Sequence, residues 1–413
     1  MARGTALADA NAAKHPVRRR VLFGLAAMLG STLLLLLVLE GFFRIAAPQD
    51  AALSVDTSIR MIEPAGLESP YAGDPDRGLV LRPNVRFINS APEFSVTVQT
   101  NSDGYRAPEF GPLLDTGKPV VVVTGDSFVW GHGVEESGRA FDLVANSLGD
   151  HIWLNLGVPG TGTDQHLLHW RRHGEALKAR LVVEVVYPND LIDILQEFRY
   201  FPKPRFVLNG DGGLDLVPAR ESSRTVPRLL PVDRFLRNRS HLYAFFKGRL
   251  RSLRASGEAR GRYDDVLMLY RKERPEVLDS ALRLLKAILS LYAAEVRATG
   301  AQFAVVVVPH KWEMQTSGRY VKDDWGRTVE LMRLNPDEFD LWALDRGLKS
   351  WGAVENVPVL GLLEHLIRRE AGDTWVYFPR DGHWTAAGNR IVAETFVSEF
   401  WPGLRPQPVE EGQ

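Results

Sequence analysis

The first feature in the pattern of hydrophobic and polar positions is a long apolar block near the beginning of the chain. Val21–Leu39 is a run of 19 residues without a charge. A helix of that length, at about 1.5 Å per residue, nearly crosses a hydrocarbon core of about 30 Å. A buried core helix is the weaker interpretation, because soluble helices keep a polar face. The pattern predicts a transmembrane helix over residues 21–43.

Charges next to this run indicate its orientation. Four basic residues precede it: Lys14, Arg18, Arg19 and Arg20. The positive-inside rule places residues 1–20 in the cytoplasm and the remainder outside. A cleaved signal peptide is the alternative, but its apolar region is usually about 7–15 residues long, and Pro48 follows the small-residue site Ile45–Ala47. We expect an uncleaved, single-pass signal anchor in a bacterial inner membrane, with a periplasmic domain.

Beyond the predicted anchor, the apolar runs become shorter and more varied. Residues 48–118 are rich in Pro, Gly and Asp, which indicates an extracytoplasmic linker with accessory strands over residues 44–118. Phe94–Gln99 alternates with a period of two, as a half-buried strand does. It leads into Asn101–Gly104, a strong turn signal.

From residue 119 onward, apolar runs alternate with amphipathic stretches. Five runs have the character of buried parallel strands: 119–123, 152–156, 181–187, 303–308 and 357–360. Helical stretches cover about 164–180, 275–299 and 385–401. This alternation predicts an α/β fold with a parallel sheet between two helical layers, a three-layer sandwich. We expect it to occupy residues 119–403, followed by a tail over 404–413.

A segment at about 191–274 interrupts this rhythm and is predicted to be an insertion. Asn209–Gly213 is a turn between two short strand-like runs. Between Arg220 and Arg254 there are ten Lys or Arg residues against two acids. One interpretation is a solvated helical excursion, and the other is a surface for lipid head groups or an acidic polysaccharide.

Composition narrows the classes of function. Lys and Arg number 50 against 51 Asp and Glu, so the chain is not a bulk nucleic-acid binder. The absence of cysteine excludes disulfides, Cys-ligated metals and thiol nucleophiles.

A candidate nucleophile follows the first predicted strand of the sheet. Gly125, Asp126 and Ser127 lie where the strand ends and a helix begins, which is the usual site region of an α/β sheet. Gly125 permits a tight turn, and the helix start places positive partial charge near the serine oxygen. The alternative is an ordinary helix cap, because Asp and Ser are favoured there.

A candidate base lies near the other end, just before the last helix. Asp381 and His383 are separated by one residue, so both side chains can point the same way. A serine nucleophile needs such a base and a carboxylate to orient it. The alternative is that Thr385 caps the helix and His383 is a surface residue. Among the other histidines, His132 has no adjacent carboxylate, and those of the 164–180 helix lie in a polar stretch.

Two loops between these positions could supply oxyanion donors. Gly160 follows the second strand and lets a backbone N–H face a ligand. Asn189 follows the third strand and can offer its side-chain amide. Each is also compatible with a plain turn. Together the strand ends supply a nucleophile, oxyanion donors and a base in one cleft.

In these four blocks the chain resembles the SGNH (GDSL-type) hydrolase superfamily. The resemblance covers about residues 119–400 without the insertion, and it implies a flavodoxin-like sandwich and ester hydrolysis or acyl transfer. It implies Ser127, His383 and Asp381 as a triad and Ser127, Gly160 and Asn189 as the oxyanion hole, with Gly125 and Asp126 in support. Most family esterases have two residues between the Asp and the His. The Asp-x-His-Trp form here is similar to alginate and cell-wall polysaccharide O-acetyltransferases.

The sequence therefore predicts a membrane-anchored serine esterase or O-acyltransferase that acts on a carbohydrate or cell-envelope ester. We expect no metal or other cofactor and no nucleic-acid partner. An ester or polysaccharide is the expected substrate, the membrane is contacted through the N-terminal helix, and an envelope protein is a candidate partner. The alternative is an inactive envelope binding or assembly protein on the same scaffold. A phosphate- or nucleotide-binding protein is disfavoured, because the loop around Gly160 lacks a Gly-x-x-x-x-Gly-Lys motif.

Overall fold

The computed structural model describes residues 14–45, 58–220, 240, 242–243, 263–370 and 372–404. They belong to two compact units, residues 1–54 with 227–259 and residues 55–226 with 260–413. Most of the predicted basic segment lies outside the described residues, as do residues 1–13, 46–57 and 405–413. The predictions made for those residues stay predictions.

Among the described residues of the first unit there is one long helix, α1, over Lys14–Ile45. Within it, Phe23–Ile45 has a mean hydropathy of 2.1 and no buried residue, so it is long and apolar enough to cross a membrane. A signal sequence has the same properties. Near its end, Glu40 accepts hydrogen bonds from Ser240 Oγ (2.7 Å) and from the Leu242 backbone N–H (3.0 Å).

The second unit contains twelve strands and a series of helices among its described residues. The strands are β1 Ser58–Glu63, β2 Tyr71–Asp74, β3 Gly78–Leu81, β4 Arg86–Ala91, β5 Phe94–Gln99, β6 Val120–Thr124, β7 Ile152–Asn155, β8 Ala179–Val186, β9 Arg205–Leu208, β10 Leu214–Val217, β11 Gln302–Val307 and β12 Val359–Gly361. The α-helices are α2 Phe110–Leu114, α3 Ser127–Trp130, α4 Ala140–Leu148, α5 Thr163–Leu177, α6 Asp190–Asp193, α7 Tyr263–Met268, α8 Glu276–Ala298, α9 Trp325–Met332, α10 Ala343–Glu355, α11 Leu363–Arg369, α12 Ala386–Thr395 and α13 Trp401–Leu404.

The central sheet has five parallel strands in the order β12-β11-β8-β6-β7. Numbered within the sheet this is the 2-1-3-4-5 order of flavodoxin-like folds. The predicted fold class is confirmed. The strand order reverses between β6 and β8, and ligands of such sheets bind in the crevice beyond the carboxyl ends of the strands there.

Alternate side chains of each strand enter two separate hydrophobic cores. Val120 and Val122 of β6 pack in one core with α5 and α8, whereas Val121 and Val123 pack in the other with α4, α11 and α12. Full burial of each such valine contributes about 1.5–3 kcal/mol. Because both faces of these strands are buried, their sequences are continuous apolar runs. One helical layer covers each face of the sheet, which gives the predicted three-layer sandwich.

The predicted accessory strands form small antiparallel sheets on the first of these cores. Strands β1, β4 and β5 form one sheet, β2 and β3 form a hairpin, and Phe87 and Val98 are buried with the α5 side of the central sheet. The predicted turn at Asn209–Gly213 joins the hairpin β9–β10.

Several predicted bounds differ from the structure by one or more residues. The helix expected over 164–180 ends at Leu177, because Lys178 adopts a left-handed conformation (φ 48°) before β8 begins. The last strand begins at Val359 rather than at 357. The closing helix is divided, since a π-turn over Phe396–Phe400 separates α12 from α13.

Candidate active site

Ser127 begins α3 directly after the end of β6. Gly125 has φ 159°, and a Cβ there would lie 2.4 Å from Val129 Cγ2, so only glycine fits this turn. Asp126 is the N-cap residue, and its Oδ1 accepts a hydrogen bond from the Phe128 backbone N–H (2.9 Å). Asp126 therefore braces the turn, as the sequence indicated, and sets Ser127 at the carboxyl edge of the sheet.

Ser127, His383 and Asp381 form one continuous hydrogen-bonded relay. Ser127 Oγ lies 2.7 Å from His383 Nε2, and His383 Nδ1 lies 2.5 Å from Asp381 Oδ1. The same Asp381 oxygen accepts a hydrogen bond from the His383 backbone N–H (2.9 Å). The one-residue spacing thus lets a single carboxylate orient both the ring and the backbone of the histidine. Thr385 also caps α12, as the alternative interpretation expected, but His383 is half-buried and bonds Ser127 and Asp381 rather than being a free surface residue.

His132 adds a second imidazole to this relay. Its Nε2 lies 3.6 Å from Asp381 Oδ2, and its ring centroid is 4.2 Å from that of His383. No carboxylate is adjacent to His132 in the sequence, and the carboxylate beside it in the structure comes from a distant part of the chain. Burial acts to raise the pKa of Asp381, but His383 and His132 outweigh it and hold that pKa well below its usual value.

The loop that carries Asp381 is held from two sides. Glu93, in the β4–β5 turn, accepts hydrogen bonds from the backbone N–H groups of Arg380 (3.0 Å) and Asp381 (2.8 Å). From the other side, Lys311 Nζ donates to the carbonyl oxygens of Phe378 (3.1 Å) and Asp381 (3.0 Å). Lys311 is fully buried, and burial lowers its pKa to about 8.

Gly160 lies in a loop attached to the nucleophile turn. The Val158 backbone N–H donates to the Gly125 carbonyl (3.0 Å). Gly160 has φ 82°, and a Cβ there would lie 2.7 Å from Tyr200 Cε2. The positive φ therefore favours glycine at this position, and the role of its N–H as an oxyanion donor stays a prediction.

Asn189 precedes α6 at the end of β8, beside the strand that leads to Ser127. Its Nδ2 donates to Asp193 Oδ2 (3.1 Å), and its Oδ1 has no hydrogen-bond partner among the described residues. One amide hydrogen is thus engaged within its own turn. Donation to an oxyanion would use the other, and this role also stays a prediction.

Sequence reasoning missed a buried polar cluster beneath these loops. His166 Nδ1 lies 2.7 Å from Glu184 Oε1, and Asp190 belongs to the same cluster. His166 was assigned to a polar helix, but α5 is covered and only 2% of His166 is exposed. The available signal was Glu184, an acid inside the apolar run LVVEVV, because a buried charge requires a partner.

Two groups have the residue types that ligate metals. Their ligand atoms lie within 4.8 Å of one another in each group: His132, Asp381 and His383, and His166, Glu184 and Asp190. In both groups a histidine already pairs with a carboxylate, as described above. The expectation that the chemistry needs no metal stays a prediction.

No protein-family model and no curated protein matches the chain. Among solved structures the chain is similar to TesA, with 15% identity, a TM-score of 0.36, and 70% of this chain and 99% of that chain covered. It is also similar to a lipase/acylhydrolase from Enterococcus faecalis (14%, TM-score 0.37, 70% and 99% covered) and to a lipolytic G-D-S-L family member from Veillonella parvula (12%, TM-score 0.34, 68% and 97% covered). Because these identities and TM-scores are low, the function is inferred below from the side chains of the site itself.

Proposed function

We propose that the protein cleaves an ester with Ser127 as the nucleophile and passes the acyl group to water or to a hydroxyl of a carbohydrate. The observation that carries this proposal is the relay from Ser127 Oγ through His383 to Asp381, with separations of 2.7 and 2.5 Å. A serine hydroxyl becomes a useful nucleophile only when a positioned base can take its proton.

In the first half-reaction, Ser127 Oγ attacks the ester carbonyl carbon while its proton moves to His383 Nε2. The carbonyl oxygen becomes an oxyanion, for which the backbone N–H groups of Ser127 and Gly160 and the amide of Asn189 are the candidate donors. The ester C–O bond then breaks, and His383 returns the proton to the departing alcohol oxygen. Asp381 stabilises the imidazolium that forms in between.

In the second half-reaction, the acyl-serine is attacked by water or by an acceptor hydroxyl. His383 takes the proton from the attacking oxygen and returns it to Ser127 Oγ as the acyl C–O bond breaks. Water gives a free acid, and a sugar hydroxyl gives a new ester. Membrane anchoring and an acetyl group as the acyl unit are parts of this proposal.

Ser127→Ala in the full chain, purified in detergent, tests this function with an aryl acetate as substrate. Loss of the nucleophile should reduce turnover by about 10³-fold or more. The matched control is Ser350→Ala, an exposed serine on α10, which should leave turnover unchanged. Adding oligosaccharide acceptors to the wild type then separates transfer from hydrolysis.

A fluorophosphonate probe gives a second measurement that does not depend on the choice of substrate. The probe should modify Ser127 in the wild type and in Ser350→Ala. A folded wild type that neither turns over the ester nor reacts at Ser127 would contradict the proposal. The binding or assembly interpretation would then replace it.

A further inference from the structure

Beneath the candidate site, one buried histidine connects two of the strand ends. His166 Nδ1 lies 2.7 Å from Glu184 Oε1, and His166 Nε2 lies 3.1 Å from Thr161 Oγ1. Glu184 and Thr161 are fully buried. These side chains are shielded from bulk solvent, and buried polar atoms are normally hydrogen-bonded.

The donors and acceptors around His166 fix the hydrogen on its Nε2. The Thr161 hydroxyl has a single hydrogen, which it donates to the Val158 carbonyl (2.7 Å). Its oxygen must therefore accept from His166 Nε2–H. On the other side, His166 Nδ1 and Glu184 Oε1 share one proton across 2.7 Å. Burial raises the pKa of Glu184, whereas the charge of His166 acts to lower it. With that proton on Nδ1, His166 is an imidazolium paired with the Glu184 carboxylate.

The charges around His166 favour this imidazolium form. Burial alone lowers the pKa of a histidine, but the negative charge of Glu184, supported by Asp190 and Asp126, raises that of His166 to about 9. On the same helix, His169 faces it as a neutral ring, since burial lowers the pKa of His169 to about 3.

The cluster continues to the strand that carries the nucleophile. Thr124, the last residue of β6, donates from Oγ1 to Glu184 Oε2 (2.6 Å) and is three residues from Ser127. Thr161 directly follows Gly160 in the sequence. His166 and Glu184 thus form a bridge of hydrogen bonds between the strand before Ser127 and the loop of Gly160.

We propose that His166 is a positioning residue whose two hydrogen bonds hold the Gly160 loop in place relative to Ser127. This inference rests on the proposed function, because it concerns where an oxyanion donor lies during ester cleavage. Donors for an oxyanion act only when they are fixed at the position where charge develops, so a displaced loop lowers kcat rather than substrate binding.

His166→Gln in the full chain tests the proposal. Glutamine retains one hydrogen bond of the bridge and loses the charge. We expect kcat for the aryl acetate to fall by about 10- to 100-fold, less than the about 10²–10³-fold cost of deleting a donor, while KM changes by less than about twofold. The matched control is His169→Gln, one turn further on the same helix, which is equally buried and bonds Tyr105 OH (2.8 Å) instead of the site.

Thr161→Val provides a second variant that leaves no buried charge without its partner. It removes the hydroxyl that accepts from His166 but keeps the shape of the side chain. The kcat of Thr161→Val should fall as in His166→Gln. Thr161→Ser keeps the hydroxyl and should therefore retain most of the wild-type kcat. Melting temperatures measured in parallel show whether each variant folds.

The pH profile supplies a readout that simple loss of packing would not change. The imidazolium is the working form, so wild-type kcat should decline as the pH rises through about 9, where His166 loses its proton. His166→Gln should lack this decline.

The outcomes separate the two proposals. If Ser127→Ala abolishes turnover while His166→Gln and Thr161→Val both fold and retain wild-type kcat, the positioning proposal is wrong and the function stands. If His169→Gln loses as much kcat as His166→Gln, the effect belongs to the helix in general, and the positioning proposal is again wrong. If Ser127→Ala retains turnover, the proposed function itself fails.

Discussion

The carboxylate of Asp381 contacts an imidazole with each of its two oxygens. Oδ1 lies 2.5 Å from His383 Nδ1, and Oδ2 lies 3.6 Å from His132 Nε2. Burial, and next the neighbouring His383, lower the pKa of His132, which favours its neutral form and a single N–H donor. A neutral His132 can orient the carboxylate without repelling the imidazolium that forms on His383 during catalysis.

His132→Phe should separate the electrostatic contact with Asp381 from the packing, because it keeps a ring beside His383 and removes the N–H. The 3.6 Å separation is longer than a hydrogen bond. We therefore expect kcat to fall by no more than about tenfold, with little change in KM.

The control for this variant is His151→Phe, which removes a similar contact with Asp150 (2.6 Å) next to Trp401. It should leave kcat unchanged. Wild-type kcat in a folded His132→Phe protein would mean that Asp381 is oriented well enough by His383 and the backbone alone.

At the scale of elements, the site depends on a hairpin outside the central sheet. The β4–β5 turn places Glu93 on the backbone of the loop that carries Asp381, and Phe94 packs edge-on against His132 with centroids 5.0 Å apart. Lys311, just after β11, holds the carbonyl groups of the same loop. Glu93 therefore accepts hydrogen bonds from backbone N–H groups of this loop, and Lys311 donates hydrogen bonds to its carbonyl groups.

Glu93→Ala should loosen this loop while leaving the fold intact. Glu93 is only half-buried, so water can take over its hydrogen bonds, and the free energy of unfolding should change by less than about 1 kcal/mol. Small displacements of catalytic groups can cost up to about 10²-fold, and we expect a loss of about 10-fold in kcat.

Glu109→Ala is the matched control, because Glu109 also binds a backbone N–H, that of Ser102 (2.9 Å), but does not bond the loop of Asp381. Equal effects of the two variants, or a large drop in melting temperature for Glu93→Ala, would show that the hairpin stabilises the fold in general rather than this loop.

At the scale of the whole molecule, α1 is the element that decides where the proposed chemistry takes place. Its apolar part, Phe23–Ile45, has the length and hydropathy of a membrane span, and basic residues precede it. We propose, from the positive-inside rule, that the second unit lies on the extracytoplasmic side.

The absence of cysteine makes this topology directly measurable, because one introduced thiol is the only one in the protein. In spheroplasts of cells that produce the full chain, Ser350→Cys should react with a membrane-impermeant maleimide. Thr5→Cys should react only after lysis. The reverse pattern would contradict the orientation, and release of the protein by alkaline carbonate would contradict the anchor.

The sequence predicted the relay of Ser127, His383 and Asp381 because each residue lies beside a local signal, a strand end or a helix start. The parallel sheet was predictable for the same reason, since continuous apolar runs arise where both faces of a strand are buried. These features depend on residues that are close together in the chain.

The remaining features depend on contacts between distant segments. Nothing near His132 or Glu93 in the sequence indicates Asp381, because only the folded chain brings the β4–β5 turn to that loop. His166 was assigned to a polar helix for a related reason. An ion pair such as His166–Glu184 satisfies polar groups inside the core, and a sequence pattern cannot distinguish that arrangement from an exposed polar face.

Ser127 and His383 are 256 residues apart in the sequence, which has a consequence for the synthesis and folding of the protein. A ribosome makes the serine long before it makes the histidine, and Glu93, which holds the histidine's loop, is made before either. Until residue 383 has been synthesised and packed, the hydroxyl of Ser127 has no imidazole beside it and is an ordinary alcohol. The proposed enzyme therefore becomes reactive only after its final segments have folded.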